Sequence, residues 1–246
     1  MTKNYVEAII LAGGKGTRLK SILDDRPKPM AIIEGKPFIE WVLFMLRHQG
    51  IQRAIICTGY LGEIIECHLG NGRHIGMKIA YARDPFPLGT GGAVRNALDK
   101  TDSTSLLVIN GDTYFHPNIS NILKTHFERT ARVSLSLVRV DDSSRYGSVK
   151  INKDGEVMAF VEKSPRKESG LINAGIYIME RNVVNEIPEG AMISLEREIL
   201  PNLIGKGLYG VSCEGPFVDI GVPESINEAG TILKEEFEYL LQEVNL

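Results

Sequence analysis

Apolar and polar positions change their spacing along this chain, and the changes mark out its elements. Ala8-Ile9-Ile10-Leu11-Ala12 is an unbroken apolar run ending at glycine, the pattern of a parallel strand covered on both faces. Phe38 to His48 carries apolar residues at 38, 39, 42, 43 and 46, with Gly50 following, which predicts a helix with a glycine stop. Arg53 to Thr58 predicts the next strand and Leu61 to Leu69 a short helix ended by Gly70-Asn71-Gly72. Met77 to Ala82 and Leu106 to Ile109 predict two more strands. Such alternation implies a parallel sheet with right-handed crossovers. Beyond residue 131 the pattern turns strand-rich: Val133 to Val140, Ser148 to Ile151, Val157 to Val161 and Leu171 to Met179, parted by turn residues such as Asn152-Lys153-Asp154-Gly155. Ile193 to Leu203 reads as a helix started by Ser194, and Pro223 to Leu241 as a closing amphipathic helix with proline in its first turn. No repeat or linker interrupts the chain. A single domain over 1–246 is expected, with one half at about 1–131 and another at about 132–246.

Composition narrows the class. With 43% hydrophobic and 24% charged residues over 246 positions, the chain is long enough to bury a sizeable core. Lys and Arg number 28 against 31 Asp and Glu, a net charge of −3 with no basic tract, so nucleic acid is not an expected partner. No apolar run reaches the ~20 residues of a membrane span, and the N-terminus lacks the apolar core of a signal peptide. No membrane contact and a cytoplasmic location are therefore expected. Cys57, Cys67 and Cys213 form no C-x-x-C pair and read as reduced, structural thiols. The histidines at 48, 68, 74, 116 and 126 show no metal-ligand spacing and enter no site.

Three stretches carry chemistry. After the first strand, Leu11-Ala12-Gly13-Gly14-Lys15-Gly16-Thr17-Arg18 joins three glycines, two cations and a hydroxyl. Glycines let backbone N–H groups approach an anion closely. A dinucleotide fingerprint would need glycine where Leu19 stands, and an ATPase P-loop would need Gly-Lys followed by Ser or Thr; neither is present. The glycines alone leave a structural turn open, and the added Lys15, Thr17 and Arg18 favour a nucleotide. The second stretch, Asp84-Pro85-Phe86-Pro87-Leu88-Gly89-Thr90-Gly91-Gly92-Ala93, again follows a strand and precedes a helix, where open parallel sheets bind ligands. Its glycines suit either a planar group or a tight packing turn. Third, Leu106 to Thr113 delivers Asp112 at the tip of a buried strand. Asn110-Gly111-Asp112 could be a plain turn. Beside a phosphate loop, its carboxylate suits Mg2+, which one or two carboxylates hold together with substrate phosphates. Asp219, in Phe217-Val218-Asp219-Ile220-Gly221, offers the second acid.

These residues resemble the sugar nucleotidyltransferases, whose signature runs Gly-Gly-x-Gly-Thr-Arg-Leu and then Pro-Lys-Pro; Gly13 to Leu19 and Pro27-Lys28-Pro29 match it. The family's commoner Pro-Leu-Thr segment is replaced here by Lys20 to Arg26, which bears on subfamily. The resemblance runs from about Glu7 to Glu224. It implies an α/β fold, a Rossmann-like three-layer α/β/α with a central, mostly parallel mixed sheet and a strand-rich sugar-binding lobe. Gly89, Thr90, Gly91 and Gly92 would hold base and ribose, Asp112 and Asp219 the metal, and Lys28 the phosphates. Glu162 and Lys163 by themselves read as a solvated pair at a strand end. Carried over from the family, Glu162 would accept sugar hydroxyls and Lys163 would bind the sugar phosphate, with Asn173 and Gly175 contacting the sugar.

The implied reaction joins a sugar 1-phosphate to a nucleoside triphosphate, releasing pyrophosphate, with Mg2+ as cofactor. The Thr-Gly-Gly-Ala form at 90–93 looks most like members that activate heptose phosphate with a guanine nucleotide, so GTP is favoured. It also looks like those that activate N-acetylmuramate phosphate with uridine; mannose and glucose 1-phosphates stay open. A non-catalytic nucleotide-sugar-binding subunit is opposed by the retained acids, Arg18 and Lys163, and a nicotinamide-dependent dehydrogenase by Leu19. A homodimer is an option that nothing in the residues decides.

Overall fold

The computed structural model describes residues 6–16, 19, 23, 26–161 and 167–244, the last six of these as backbone alone. Strand β1 (Glu7–Leu11) leads into the loop, a 3-10 turn at Lys28–Met30, the short ribbon β2 (Ile32–Ile33) and β3 (Lys36–Pro37), and helix α1 (Phe38–His48). Then come β4 (Arg53–Thr58), α2 (Gly62–Leu69), β5 (Lys78–Arg83), α3 (Gly89–Ala97), β6 (Ser105–Asn110) and β7 (Thr113–Phe115). The strand-rich half supplies α4 (Ile119–Glu128), β8 (Val133–Val140), β9 (Ser148–Ile151), β10 (Val157–Val161) and β11 (Gly170–Glu180). It closes with α5 (Arg181–Asn185), α6 (Leu200–Asn202), β12 (Leu208–Cys213), β13 (Phe217–Asp219) and α7 (Pro223–Val244).

Seven strands make one sheet in the order β12-β8-β11-β6-β1-β4-β5, parallel except for β11, which runs antiparallel to both its neighbours. This is the mixed, mostly parallel sheet expected from the alternation. The three longest strands of the second half extend it, while β9 pairs with β10 and β7 with β13 outside it. Period-two alternation divides the core. Ala8, Ile10, Ala54, Ile56, Leu107 and Ile109 pack on one face with Leu43 and Leu46 of α1, Ile65 of α2 and Leu233 of α7. Ile9, Ile55, Leu106, Val108 and Tyr177 pack on the other with Val94 of α3 and Val184 of α5. A strand sandwiched this way must be apolar on both sides, which is why Ala8 to Leu11 shows no polar position.

Two expectations need adjusting. The helix expected over Ile193 to Leu203 is a π-turn at Leu195–Ile199 followed by α6. Ser194 does cap it, its Oγ accepting from Arg197 N, but Pro201 has no N–H to give the carbonyl four residues back, and the register slips to Ile199 N donating to Ser194 O. Helix α4 was not expected; Asn118 caps it by accepting from Asn121 N at 2.9 Å, but only Ile119, Ile122 and His126 are buried on it.

Candidate active site

The chain runs from β1 outward to β4 and β5 and then returns to β6 on the other side of β1. A parallel sheet opens a crevice above its strand ends at such a reversal. Leu11 to Gly16 leave the C-terminal end of β1 there, and Gly111 N donates to Leu11 O at 2.9 Å, holding the tip of β6 beside them. A Cβ at Gly111 would stand 2.7 Å from that carbonyl, and one at Gly59 would stand 2.7 Å from Gly13 O. Glycine is required at both because two loop backbones touch. Gly16 sits at φ +56° against Lys28, where a side chain would be strained as well as crowded.

The cleft, about 990 Å3, is lined by Leu11 to Gly16, Leu19, Lys28, Asp84 to Thr90, Asn110, Asp112 and Gly221, among others. Lys28 is only 7% exposed, and its Nζ lies 2.7 Å from Asp112 Oδ2. Burial of a cation requires such a partner. Asp219 reaches the same end of the molecule through the β7–β13 ribbon, where it pairs with Thr113, the neighbour of Asp112. Its Oδ1 accepts from Gly221 N at 2.7 Å, and Ile220 N donates to Asp112 O at 3.1 Å. Backbone pairing therefore brings together the two acids that the sequence separates by more than a hundred residues. Asp112 lines the cleft and Asp219 does not, standing behind Gly221, which does; two carboxylates in this arrangement are an oxygen-only donor set of the kind a hard divalent cation takes.

The remaining expected residues divide. Gly89 and Thr90 line the cleft, whereas Gly91 and Gly92 are not among the lining residues: both amides donate to Ile193 O, at 2.8 and 3.3 Å, and a Cβ at Gly92 would lie 2.3 Å from Ala191 O. Of the two uses open to these glycines, the structure supplies the packing turn. Asn173 and Gly175 occupy a register shift in β11, Gly175 at φ +75°, the kind of bulge that re-aims side chains near sites. Asn173 donates to Tyr177 Oη at 2.8 Å, and Tyr177 Oη donates to Glu196 Oε1 at 3.2 Å, while Glu196 Oε2 accepts from Thr90 Oγ1 at 2.8 Å. Burial and the Glu196 carboxylate push the Tyr177 phenol well above its ordinary value, so it stays protonated. Thr17, Arg18, Glu162 and Lys163 lie outside the described residues.

The structure also brings in residues not selected from the sequence. Asp84 follows β5 and lines the cleft; burial pushes its carboxyl up to about 6, against a lowering hydrogen bond from Asn96. Its position at a strand tip is the same signal that singled out Asp112. Asn110, which ends β6, has a buried Oδ1 without a partner. Phe86 and Met192, 51% and 74% exposed, present apolar surface at the rim.

Against known proteins, the nucleotidyl transferase family model matches residues 7–236. The chain belongs to the nucleotidyl transferase family. It is 39% identical over 225 residues to D-glycero-alpha-D-manno-heptose 1-phosphate guanylyltransferase of Aneurinibacillus thermoaerophilus, covering 91% of this chain and 96% of that one. It is 37% identical over 227 residues to mannose-1-phosphate guanylyltransferase of Mycobacterium tuberculosis, covering 91% of this chain but spanning only 63% of that protein. The crystal structure of HddC from Yersinia pseudotuberculosis complexed with GMP-PN superposes with a TM-score of 0.82 at 35% identity, over 92% of this chain and 98% of that one. This nucleotidyl transferase has a glycine-rich loop with Lys15, a buried Lys28 and Asp112 at its cleft, and its family typically depends on a divalent metal. Among the described residues, no helix is long and apolar enough to cross a membrane.

Proposed function

We propose that this chain joins D-glycero-alpha-D-manno-heptose 1-phosphate to GTP, giving the GDP-sugar and pyrophosphate, in the cytoplasm. The observation that carries the substrates is near full-length similarity to a heptose 1-phosphate guanylyltransferase, at 96% of that protein's length. One oxygen of the sugar phosphate attacks the α-phosphorus in line. The new P–O bond forms as the bond to the β-phosphate oxygen breaks, and pyrophosphate leaves with the electron pair. The nucleophile is already an anion, so no general base is needed and catalysis rests on position and charge. Gly13 to Gly16, Lys15 and Arg18 hold the departing phosphates. Lys28 and Lys163 offset repulsion between the two substrates, and Glu162, Asn173 and Gly175 meet the sugar. Mg2+, held by Asp112 and Asp219, would neutralise charge on the phosphates.

A second reading, mannose 1-phosphate as acceptor, is favoured by the 37% identity to the mycobacterial enzyme. Pyrophosphate release from four nucleoside triphosphates crossed with heptose, mannose, glucose and N-acetylmuramate 1-phosphates separates them. The highest kcat/KM is expected for GTP with the heptose phosphate. A higher value for mannose 1-phosphate would replace the acceptor, and a preference for UTP would overturn the base.

A further inference from the structure

Away from the cleft, Glu40, His68 and His74 meet where two helices and a turn converge. Glu40 stands in the first turn of α1, His68 in the last turn of α2, and His74 in the turn that leads to β5. Glu40 Oε1 is 2.6 Å from His68 Nε2 and 3.9 Å from His74 Nε2. One donor atom from each residue falls within 4.8 Å of the other two, the one such group of three among the described residues. None of the three lines the catalytic cleft. We propose that they form a second metal site, specific for Zn2+ or a similar borderline divalent transition ion.

The donor set carries this choice. Two imidazoles and one carboxylate are the protein ligands of open zinc sites, which leave a fourth position for water. Mg2+ requires octahedral oxygen ligation and would not be selected by two imidazoles. Tetrahedral ligands at roughly 2.1 Å from an ion stand about 3.4 Å from one another. The contacts at 2.6 and 3.9 Å bracket that separation, and all three donor atoms lie within 4.8 Å of one another, close enough for side-chain adjustment to seat the ion. Exposure fits as well: the Glu40 side chain is 10% exposed, those of His68 and His74 38% and 50%. The acid is thus fixed at the base and the open side faces solvent.

The frame around these side chains is already ordered. Arg47 of α1 donates to Ile75 O at 2.8 Å, tying the turn that bears His74 to the helix that bears Glu40. Within the turn, Ile75 N donates to Gly72 O at 3.0 Å and Met77 N to the same carbonyl at 3.2 Å. Gly72, at φ +78°, leaves no room for a Cβ, which would meet Ile79 at 2.6 Å. The His68 and His74 rings meet edge to face, centroids 6.2 Å apart at 85°, so both imidazoles are held over the same carboxylate oxygen. An ion would bind all three at once, replacing the proton shared by Glu40 and His68.

Metal-free full-length protein, titrated calorimetrically with Zn2+ in excess Mg2+, should bind one Zn2+ per chain. Co2+ in its place should give the visible absorption of a four-coordinate ion without a thiolate charge-transfer band. His74→Ala should weaken Zn2+ binding by more than the roughly 10–100-fold that loss of an outer-shell partner causes, and His68→Ala with His74→Ala should abolish it. Both variants should keep their far-UV circular dichroism. Cys67→Ala, which alters the exposed thiol beside His68, should bind normally, as should Asp112→Asn. Four results would each overturn the site: no Zn2+ bound by the wild type, stoichiometric Zn2+ retained by the double histidine variant, loss in Cys67→Ala, or loss in Asp112→Asn.

Discussion

The loops that form the cleft and the network behind Thr90 are held by different means. On the β1 side the loops are fixed by backbone against backbone: Gly111 against Leu11 and Gly59 against Gly13, with glycine forced at each contact. Toward β11 the fixing is done by side chains, in the chain from Asn173 through Tyr177 and Glu196 to Thr90, whose last member lines the cleft. Backbone contact leaves a residue type that can be read directly, since only hydrogen fits. A side-chain network leaves ordinary polar residues whose purpose shows only when they meet.

The largest effect is expected at the two acids. Asp112→Asn and Asp219→Asn each remove a proposed anionic metal ligand and should lower turnover on the order of 10²-fold or more, read as Mg2+-dependent pyrophosphate release with the fold intact. Near-normal turnover in either would remove it from the metal. Lys163→Met should act on one substrate. A charged hydrogen bond contributes roughly 1.5 to 3 kcal/mol, about one to two decades of kcat/KM for the sugar 1-phosphate, with less effect on the triphosphate. Equal losses for both substrates, or none, would take Lys163 away from the sugar phosphate.

Stability separates backbone contact from side-chain networks in the same way, and Gly92 offers the backbone contact to test. Gly92→Ala drives a methyl toward Ala191 O and should destabilise the protein by about 1–3 kcal/mol, visible as a lower Tm. Glu196→Gln keeps the shape of the network and exchanges one acceptor oxygen for an NH2 that a rotated hydroxyl can accept from, so its Tm should move less. If Gly92→Ala is neutral, the backbone there has slack and the glycine has another cause. The smallest effect belongs to Asp84. Burial raises its carboxyl from 3.8 to about 6, so between those values the folded protein holds a proton that the unfolded chain has released. Stability therefore falls as pH rises through this window and stays lower above it. Asp84→Asn should flatten that part of the profile and raise stability at pH 7 on the order of 1 kcal/mol, partial solvation screening the rest. An unchanged profile from pH 4 to 6.5 would show that Asp84 is not held neutral.

Legibility followed the same division. Strands β4, β8, β9 and β10 and helix α1 have the bounds that apolar spacing predicts; β4, β8 and α1 bury faces that must be continuous, while β9 and β10 are delimited by the turn residues between them. Asp112 and Asp219 could be chosen because an acid after an apolar run is anomalous, and the same test, applied to Asp84, would have found it. Gly91 and Gly92 were readable as glycines that something must approach, but not as approached by Ile193 and Ala191. Helix α4 was missed because its buried positions are sparse, and β12 because its Leu208-Tyr209-Gly210 opening lacks a run of branched residues. His68 and His74 lie outside any motif spacing, since Glu40 reaches them only through the packing of α1 on α2.

The lone antiparallel strand also governs how the chain can be made and cut. β6 pairs on one side with β1, but its other edge is covered only by β11, Gly170 to Glu180. A growing polypeptide that has emerged as far as residue 131 carries the strand Leu106 to Ile109 with one row of amides and carbonyls bare, a template for the same strand of a neighbour. Truncation at that point should yield material that self-associates, and a soluble half-protein should appear only when the end point moves past residue 180.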